Sequence, residues 1–111
     1  EKPMDVFFSS TSKDVIMQFD TGYALHGGGN VIDYLKKFPG RSDTIHIKEF
    51  SSTNDKAIIG EGDIPWKSVI EICSTSGNTE WYIIEQESYA YAPIECVERC
   101  FINFKKILLN K

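Results

Sequence analysis

The feature that most constrains the fold is the repeated alternation of short apolar segments with amphipathic ones. The apolar segments are rich in β-branched and aromatic residues and have the length of buried strands. They occupy residues 15–19, 44–47 and 81–84. Each is followed by apolar residues at helical spacing, within residues 31–38, 66–73 and 97–108. Strands that alternate with such helices pair in parallel, so the sequence predicts an α/β protein with three consecutive parallel βα units.

Capping and breaking residues mark the ends of the predicted helices. Asn30 caps the first helix, and Pro39 with Gly40 ends it. Asp63 with Pro65 opens the second helix, and Gly77-Asn78 terminates it. The last helix begins at Pro93 and runs to the chain end.

A further short helix is predicted at the start of the chain, beginning at Pro3 and ending in the Ser/Thr cluster at 9–12. A helix in this position should follow a strand, and no strand precedes it in the sequence. We therefore expect the chain to be part of something longer.

A titratable residue stands at the end of each predicted strand: Asp20, His46 and Glu85. In a parallel barrel the carboxyl ends of the strands converge on one face, which carries the catalytic site. Two carboxylates and an imidazole form a mixed ligand set suited to manganese, cobalt or magnesium. Taken singly, each residue also has an ordinary structural interpretation. Asp20 could be a cap, His46 a core histidine and Glu85 a surface charge. Their recurrence in three consecutive units favours the metal site.

Composition excludes several classes of protein. A net charge of −4 and a pI near 5.1 provide no basic surface for nucleic acid, so we expect a small polar substrate instead. No apolar run is long enough to cross a bilayer, and residues 1–5 do not resemble a signal peptide, which predicts no membrane partner and a cytoplasmic location. The cysteines, at positions 73, 96 and 100, have no CxxC spacing and are predicted to be reduced, small core residues.

Five short motifs occur in the order and at the approximate spacing found in one enzyme superfamily. They are Phe19-Asp20-Thr21-Gly22-Tyr23, Phe38-Pro39-Gly40-Arg41, Ile45-His46-Ile47-Lys48-Glu49, Gly60-Glu61-Gly62-Asp63-Ile64-Pro65-Trp66 and Ile83-Ile84-Glu85-Gln86-Glu87. In this respect the chain resembles the xylose-isomerase-like sugar phosphate isomerase/epimerase superfamily. The resemblance runs from about Asp20 to the end of the chain.

This resemblance implies a partial (β/α)8 TIM barrel, with residues 1–111 as the carboxyl-terminal part of the domain. It implies that Asp20, His46 and Glu85 bind a divalent metal, with a fourth ligand supplied by an upstream Glu that has no counterpart here. The implied reaction moves a proton between adjacent carbons of a sugar or sugar phosphate through an enediolate, with Glu85 as one of two acid/base carboxylates. An inosose dehydratase-like lyase and a catalytically silent module for assembly or sugar binding remain as alternatives.

Two further residues are candidates for substrate binding. Lys48 either contacts a substrate oxygen or phosphate, or faces solvent or a neighbouring carboxylate, and Tyr23 is a candidate wall of the sugar pocket. Trp66 is better read as a core residue, and residues 26–30 as a connector rather than a phosphate cradle. Because three strands cannot close a barrel, we expect self-association or pairing with the missing amino-terminal part.

Overall fold

A computed structural model describes residues 2–110, so Glu1 and Lys111, the ends of the predicted domain, lie outside the described residues. The helices and strands alternate along the chain. In order they are α1 (Pro3–Ser10), β1 (Phe19–Asp20), α2 (Thr21–His26), α3 (Val31–Lys37), β2 (Thr44–Ile47), α4 (Trp66–Ser74), β3 (Trp81–Ile84) and α5 (Pro93–Leu109). Within residues 2–110, no helix combines the length and apolar character needed to cross a membrane.

The strands form one parallel sheet in the order β1-β2-β3. Asp20 is the register partner of His46, and His46 is the partner of Ile83. The parallel βα units predicted from the sequence are therefore confirmed. Because the described sheet has three strands, β1 and β3 are its two edges.

The hydrophobic core lies between one face of this sheet and the helices. Alternate residues of a strand point to opposite faces. Ile45 and Ile47 are fully buried in the core, whereas Thr44 and His46 belong to the opposite face. Helices α3 and α4 contribute to the core the residues expected from their spacing, including Leu35 of α3 and Val69 of α4.

The opposite face of the sheet is open at β3. The uninterrupted apolar sequence of β3 predicted burial on both faces, yet Trp81 is 66% exposed and Ile83 is 40% exposed. The prediction was wrong for this face because three strands cannot wrap around an interior, so the face that a complete barrel would enclose meets solvent.

Strand β1 is shorter than the predicted segment 15–19 and begins at Phe19. The Val15 carbonyl accepts hydrogen bonds from the Arg41 side chain, from Nε at 3.0 Å and Nη2 at 2.9 Å. The same guanidinium group binds the carbonyls of Phe8 and Ser12. The Arg41 carbonyl in turn accepts a hydrogen bond from Met17 N at 2.5 Å, so this segment is bound to Arg41, and its pairing with β2 begins only at Phe19.

Two further features of the helices differ from the prediction. Helix α2 was not predicted, and Thr21 and Gly22 form its first turn. Asp63 does not cap α4, whose N-cap position is Pro65; its carboxylate accepts a hydrogen bond from Ser52 N at 2.9 Å instead.

In α5 the buried face is rotated from the predicted one. Cys96, Cys100 and Phe104 are buried, while Val97 and Phe101 are exposed. The cysteines are free and buried, as predicted for small core residues.

Candidate metal centre

Asp20 uses its two carboxylate oxygens differently. Oδ1 accepts a hydrogen bond from Tyr23 N at 2.8 Å and so caps α2. Oδ2 is buried, has no hydrogen-bond partner within residues 2–110, and lies 3.5 Å from His46 Nδ1. The cap and the ligand are thus compatible roles for a single side chain, each using one oxygen.

Strand register brings the other two predicted ligands to the same place. Ile83 pairs with His46, and Glu85, two residues further along, projects from the same face just beyond the strand. Glu85 Oε2 lies 3.3 Å from His46 Nδ1 and is also buried without a hydrogen-bond partner among the described residues. One ligand atom from each of Asp20, His46 and Glu85 lies within 4.8 Å of the others. This separation suits donors around one divalent ion, whose bonds to oxygen and nitrogen are about 2.0–2.6 Å long.

The Glu85 carboxylate of this cluster lies in an environment that disfavours its charge. Burial and the adjoining Asp20 carboxylate raise the pKa of Glu85 above its ordinary value, although Lys48 and His46 act in the opposite direction. A divalent cation between the carboxylates would relieve both effects. Two oxygens and one imidazole nitrogen also match the donor preferences of manganese, cobalt and magnesium. The residues present therefore fit a divalent metal ion.

A second cluster of side chains adjoins the first. Lys48 Nζ forms an ion pair with Glu87 Oε2 at 2.5 Å and lies 3.9 Å from the centroid of the Tyr23 ring. The Tyr23 hydroxyl donates to the same Glu87 oxygen. Burial opposes the charge of Lys48, but the contacts with Glu87 and Tyr23 outweigh it and raise the pKa of Lys48. Of the readings left open for Lys48, the structure shows the neighbouring carboxylate.

Sequence reasoning missed Glu87 as a site residue. The signal was present in the alternation of strand β3, since positions 83, 85 and 87 follow one another on the same face. Glu87 lies three residues beyond the end of β3, whereas the predicted ligands lie at the strand ends or directly after them.

A cleft of about 440 Å³ opens beside the second cluster. Tyr23, Lys48 and Glu87 line one side, and His26 stacks on Phe50 with ring centroids 5.4 Å apart. The cleft adjoins the metal cluster at Lys48 and Glu87, each two residues beyond a predicted ligand. The segment 26–30 ends α2 and caps α3 through Asn30, as a connector does.

Thr21 and Gly22 hold the ends of β1 and β2 close together. The Thr21 hydroxyl donates to Lys48 O at 2.6 Å and accepts from Lys48 N at 3.1 Å. Gly22 is required by this close approach, because a Cβ there would lie 2.8 Å from Lys48 Cγ and 2.9 Å from Glu49 O. The Thr-Gly pair after Asp20 therefore positions Lys48 relative to α2.

Glu49 is a buried carboxylate that sequence reasoning passed over. It is 7% exposed and binds the loop that leads into α4. Its Oε1 accepts from Ile64 N at 3.2 Å, and its Oε2 accepts from Gly60 N at 2.8 Å and Trp66 Nε1 at 2.7 Å. Trp66 is buried, as its core reading predicted.

The glycine at position 62 is explained by the same carboxylate. A Cβ on Gly62 would lie 2.6 Å from Glu49 Oε1 and 2.3 Å from Phe50 O. Only glycine fits between these groups, which accounts for the Gly60-Glu61-Gly62-Asp63 motif. The loop that forms part of the cleft wall is thus attached to the end of β2.

Comparisons with known proteins were consistent with this architecture. No protein-family model matches the chain. Inosose dehydratases from two strains of Clostridium botulinum, Eklund 17B and Alaska E43, are each 24% identical to it over 103 aligned positions, covering 76% of this chain and 35% of the relative. A crystal structure of a sugar phosphate isomerase/epimerase from Parabacteroides distasonis superimposes with a TM-score of 0.73 at 19% identity, covering 90% of this chain and 34% of that one.

The fold defined by these matches is that of a partial β/α barrel, here three parallel βα units. The structural match shows the fold, and the names of the sequence relatives and of the matching structure agree with the resemblance carried by the motifs. The chain spans about a third of the length of these relatives. The relatives are named as enzymes of the isomerase/epimerase and dehydratase types.

Proposed function

We propose that this chain is part of a metal-dependent enzyme that moves a proton between adjacent carbons of a sugar or related polyol, with Asp20, His46 and Glu85 as the metal ligands. The observation that carries the proposal is the pair of buried carboxylate oxygens, Asp20 Oδ2 and Glu85 Oε2, which converge on His46 Nδ1 with no hydrogen-bond donor among residues 2–110. Buried anionic oxygens are costly unless a cation compensates them. A divalent ion is the simplest compensation for two of them.

When bound, a divalent ion supplies Lewis-acid polarisation of substrate oxygens. The protein residues would hold the ion and transfer the proton. Asp20 is fixed by its capping bond to Tyr23 N and acts only as a ligand. Glu85 makes no such bond, and its side chain is 31% exposed at the end of β3, so it is the carboxylate suited to take a proton from a substrate carbon and return it.

Tyr23 is proposed to contact the substrate from the side of the cleft, and Lys48 is proposed to act on the substrate through Glu87, with which it is paired. Both line it and both lie beside the metal cluster. The second acid/base carboxylate and the fourth ligand, which the family resemblance assigns to an upstream Glu, lie outside this sequence.

A second candidate reaction is dehydration, which the two inosose dehydratase relatives favour. It would use the same ligands and the same removal of a proton by Glu85. The electrons of the broken C–H bond would then form a C=C bond, while the hydroxyl group on the next carbon takes up the proton held by Glu85 and leaves as water. In isomerisation the proton returns instead, to the neighbouring carbon. The comparisons support the two reactions about equally.

We also propose a binding partner for the open face of the sheet and a cellular location for the protein. The exposed inner face at Trp81 and Ile83 is suited to a second copy of the chain or to the remaining units of a barrel. The free cysteines favour a reducing compartment, and hence the cytoplasm. Because the chain spans about a third of its relatives, catalysis is proposed for the whole protein.

Titration of the 111-residue chain with Mn²⁺, followed by electron paramagnetic resonance, tests the proposal. We expect one saturable site, weakened at least about tenfold in His46→Ala, the usual scale for loss of a metal-site partner. His26→Ala is the matched control and should bind as the wild type does, because His26 stacks on Phe50 outside the cluster. A folded wild-type chain with no saturable Mn²⁺ binding would contradict the proposal and favour the silent module.

The two reactions are separated by their products. The metal-loaded protein is incubated in D₂O with a ketose or with an inosose, and the products are analysed by mass spectrometry. Isomerisation conserves the formula and introduces solvent deuterium at carbon, whereas dehydration removes one water.

A further inference from the structure

The charges around the metal cluster limit which chemical groups can bind beside it. The carboxylates of Asp20, Glu85 and Glu87 face a single ammonium group, that of Lys48. With His46 neutral as a ligand, the group carries two excess negative charges. One divalent ion cancels them and leaves no surplus positive charge for an anionic substrate group.

The Lys48 ammonium group already makes its contacts within the protein. Its Nζ is paired with Glu87 and lies over the Tyr23 ring, and the Lys48 side chain is only 13% exposed. Glu87 is 47% exposed, so it is the carboxylate, not the ammonium, that faces the cleft. A ligand approaching from the cleft meets a hydrogen-bond acceptor first.

The rest of the cleft adds no cation to this balance. Besides Lys48, the lining residues with charged side chains are Glu49, Asp55 and Glu87, and no arginine lines the cleft among residues 2–110. Glu49 is buried, and its carboxylate oxygens accept hydrogen bonds from the loop backbone and from the Trp66 side chain. The cleft is therefore negative on balance. A phosphate group there would be repelled, whereas hydroxyl groups would find acceptors in carboxylates and amides.

From this arrangement we infer that the part of the substrate bound beside the metal ligands is an uncharged polyol, and that Glu87 sets this specificity by neutralising Lys48. This deepens the proposed function and rests on it. Glu87 presents a carboxylate to substrate hydroxyls, and an analogue with phosphate at this position is rejected through unpaired like charge. The sugar rather than the sugar phosphate is then the substrate class.

The inference is tested with inorganic phosphate as the probe, on the chain freed of metal by a chelator so that phosphate cannot sit on an ion. Binding is followed by ³¹P nuclear magnetic resonance at low ionic strength. The wild type should bind phosphate no better than the double variant Glu87→Gln/Lys48→Met, which lacks both charges of the pair. Glu87→Gln, which removes the charge and preserves the shape, should bind about tenfold more tightly, the order of effect expected from one unpaired charge at a site.

The double variant Glu87→Gln/Lys48→Met should lose this gain, which assigns it to the released ammonium group. Wild-type phosphate binding tighter than that of the double variant would overturn the inference, as would a folded Glu87→Gln protein with no gain. Mn²⁺ titration of the same samples separates the two proposals. Failure of Mn²⁺ binding counts against the proposed function, whereas Mn²⁺ binding together with wild-type phosphate binding tighter than that of the double variant counts only against the polyol inference.

Discussion

Asp20 Oδ2 lies 3.5 Å from His46 Nδ1 because the two residues are register partners on neighbouring parallel strands. The backbone pairing that joins β1 to β2 therefore also sets the first edge of the candidate metal centre. Glu85 joins from β3 by the same rule, two residues beyond the partner of His46. A shift of one residue in register would move the affected ligand to the opposite face of the sheet.

The two roles of Asp20 can be separated by substitution. Asp20→Asn keeps an oxygen for the Tyr23 N hydrogen bond but loses the charge, so we expect little change in the free energy of unfolding and at least about a tenfold loss of Mn²⁺ affinity. Asp20→Ala loses the cap as well and should cost about 1 kcal/mol more. Urea unfolding and Mn²⁺ titration measure the two effects. Equal Mn²⁺ affinity in Asp20→Asn and wild type would remove Asp20 from the ligand set.

Glu49→Gln should destabilise the fold. The Glu49 carboxylate accepts hydrogen bonds from N–H groups on both of its oxygens, and an amide would turn its own NH₂ toward one of these donor sets. We expect a loss of about 2 kcal/mol in the free energy of unfolding, the usual cost of an unsatisfied buried group. Glu98→Gln, at an exposed position of α5, is the matched control and should stay within about 0.5 kcal/mol of wild type. Equal stability of the two variants would refute the anchoring role.

The thiols should be unreactive in the native protein. Cys73, Cys96 and Cys100 are fully buried, and burial raises the pKa of Cys73 and Cys100, which lowers the thiolate fraction at neutral pH. We expect Ellman's reagent to react about a hundredfold more slowly than in denaturant, the factor given by a local opening free energy of about 3 kcal/mol. Rapid native reaction of any thiol would show that α4 or α5 is loosely packed. The rate should rise with pH, since the thiolate is the reacting form.

The open face at β3 should drive association of the isolated chain. Light scattering coupled to size-exclusion chromatography should show a mass that rises with concentration, because Trp81 and Ile83 are exposed beside an unpaired strand edge. The double variant Trp81→Ser/Ile83→Ser should shift the distribution toward the monomer. Ile94→Ser, an equally apolar change at an 81% exposed position on α5, should not. A wild-type chain that stays monomeric at every concentration would contradict this prediction.

Most of the architecture was predictable from local patterns. The bounds of β2 and β3, the start of α5 and the Asn30 cap of α3 agree with the structure because periodicity and capping depend on neighbouring residues. The errors have a different origin. Segment 15–18 is bound by Arg41, a residue distant in sequence, and the face of β3 is exposed because no strand among residues 2–110 covers it.

The candidate site was predictable in part for the same reason. Strand ends can be read from sequence, and this is enough to nominate Asp20, His46 and Glu85. The partners of Lys48 and the anchoring role of Glu49 cannot be read in this way. The Tyr23–Glu87 contact spans 64 positions, and the Thr21–Lys48 contact spans 27.

The sequence by itself determined the order of the βα units and the placement of a titratable residue at or just beyond the end of each strand, since both follow from short-range spacing. Only the tertiary structure decided which atoms meet. It turned one oxygen of Asp20 to the helix cap and the other to His46, paired Lys48 with Glu87, and attached the cleft loop to Glu49. Such contacts depend on strand register and on the packing of distant segments, and local preferences do not encode either of these.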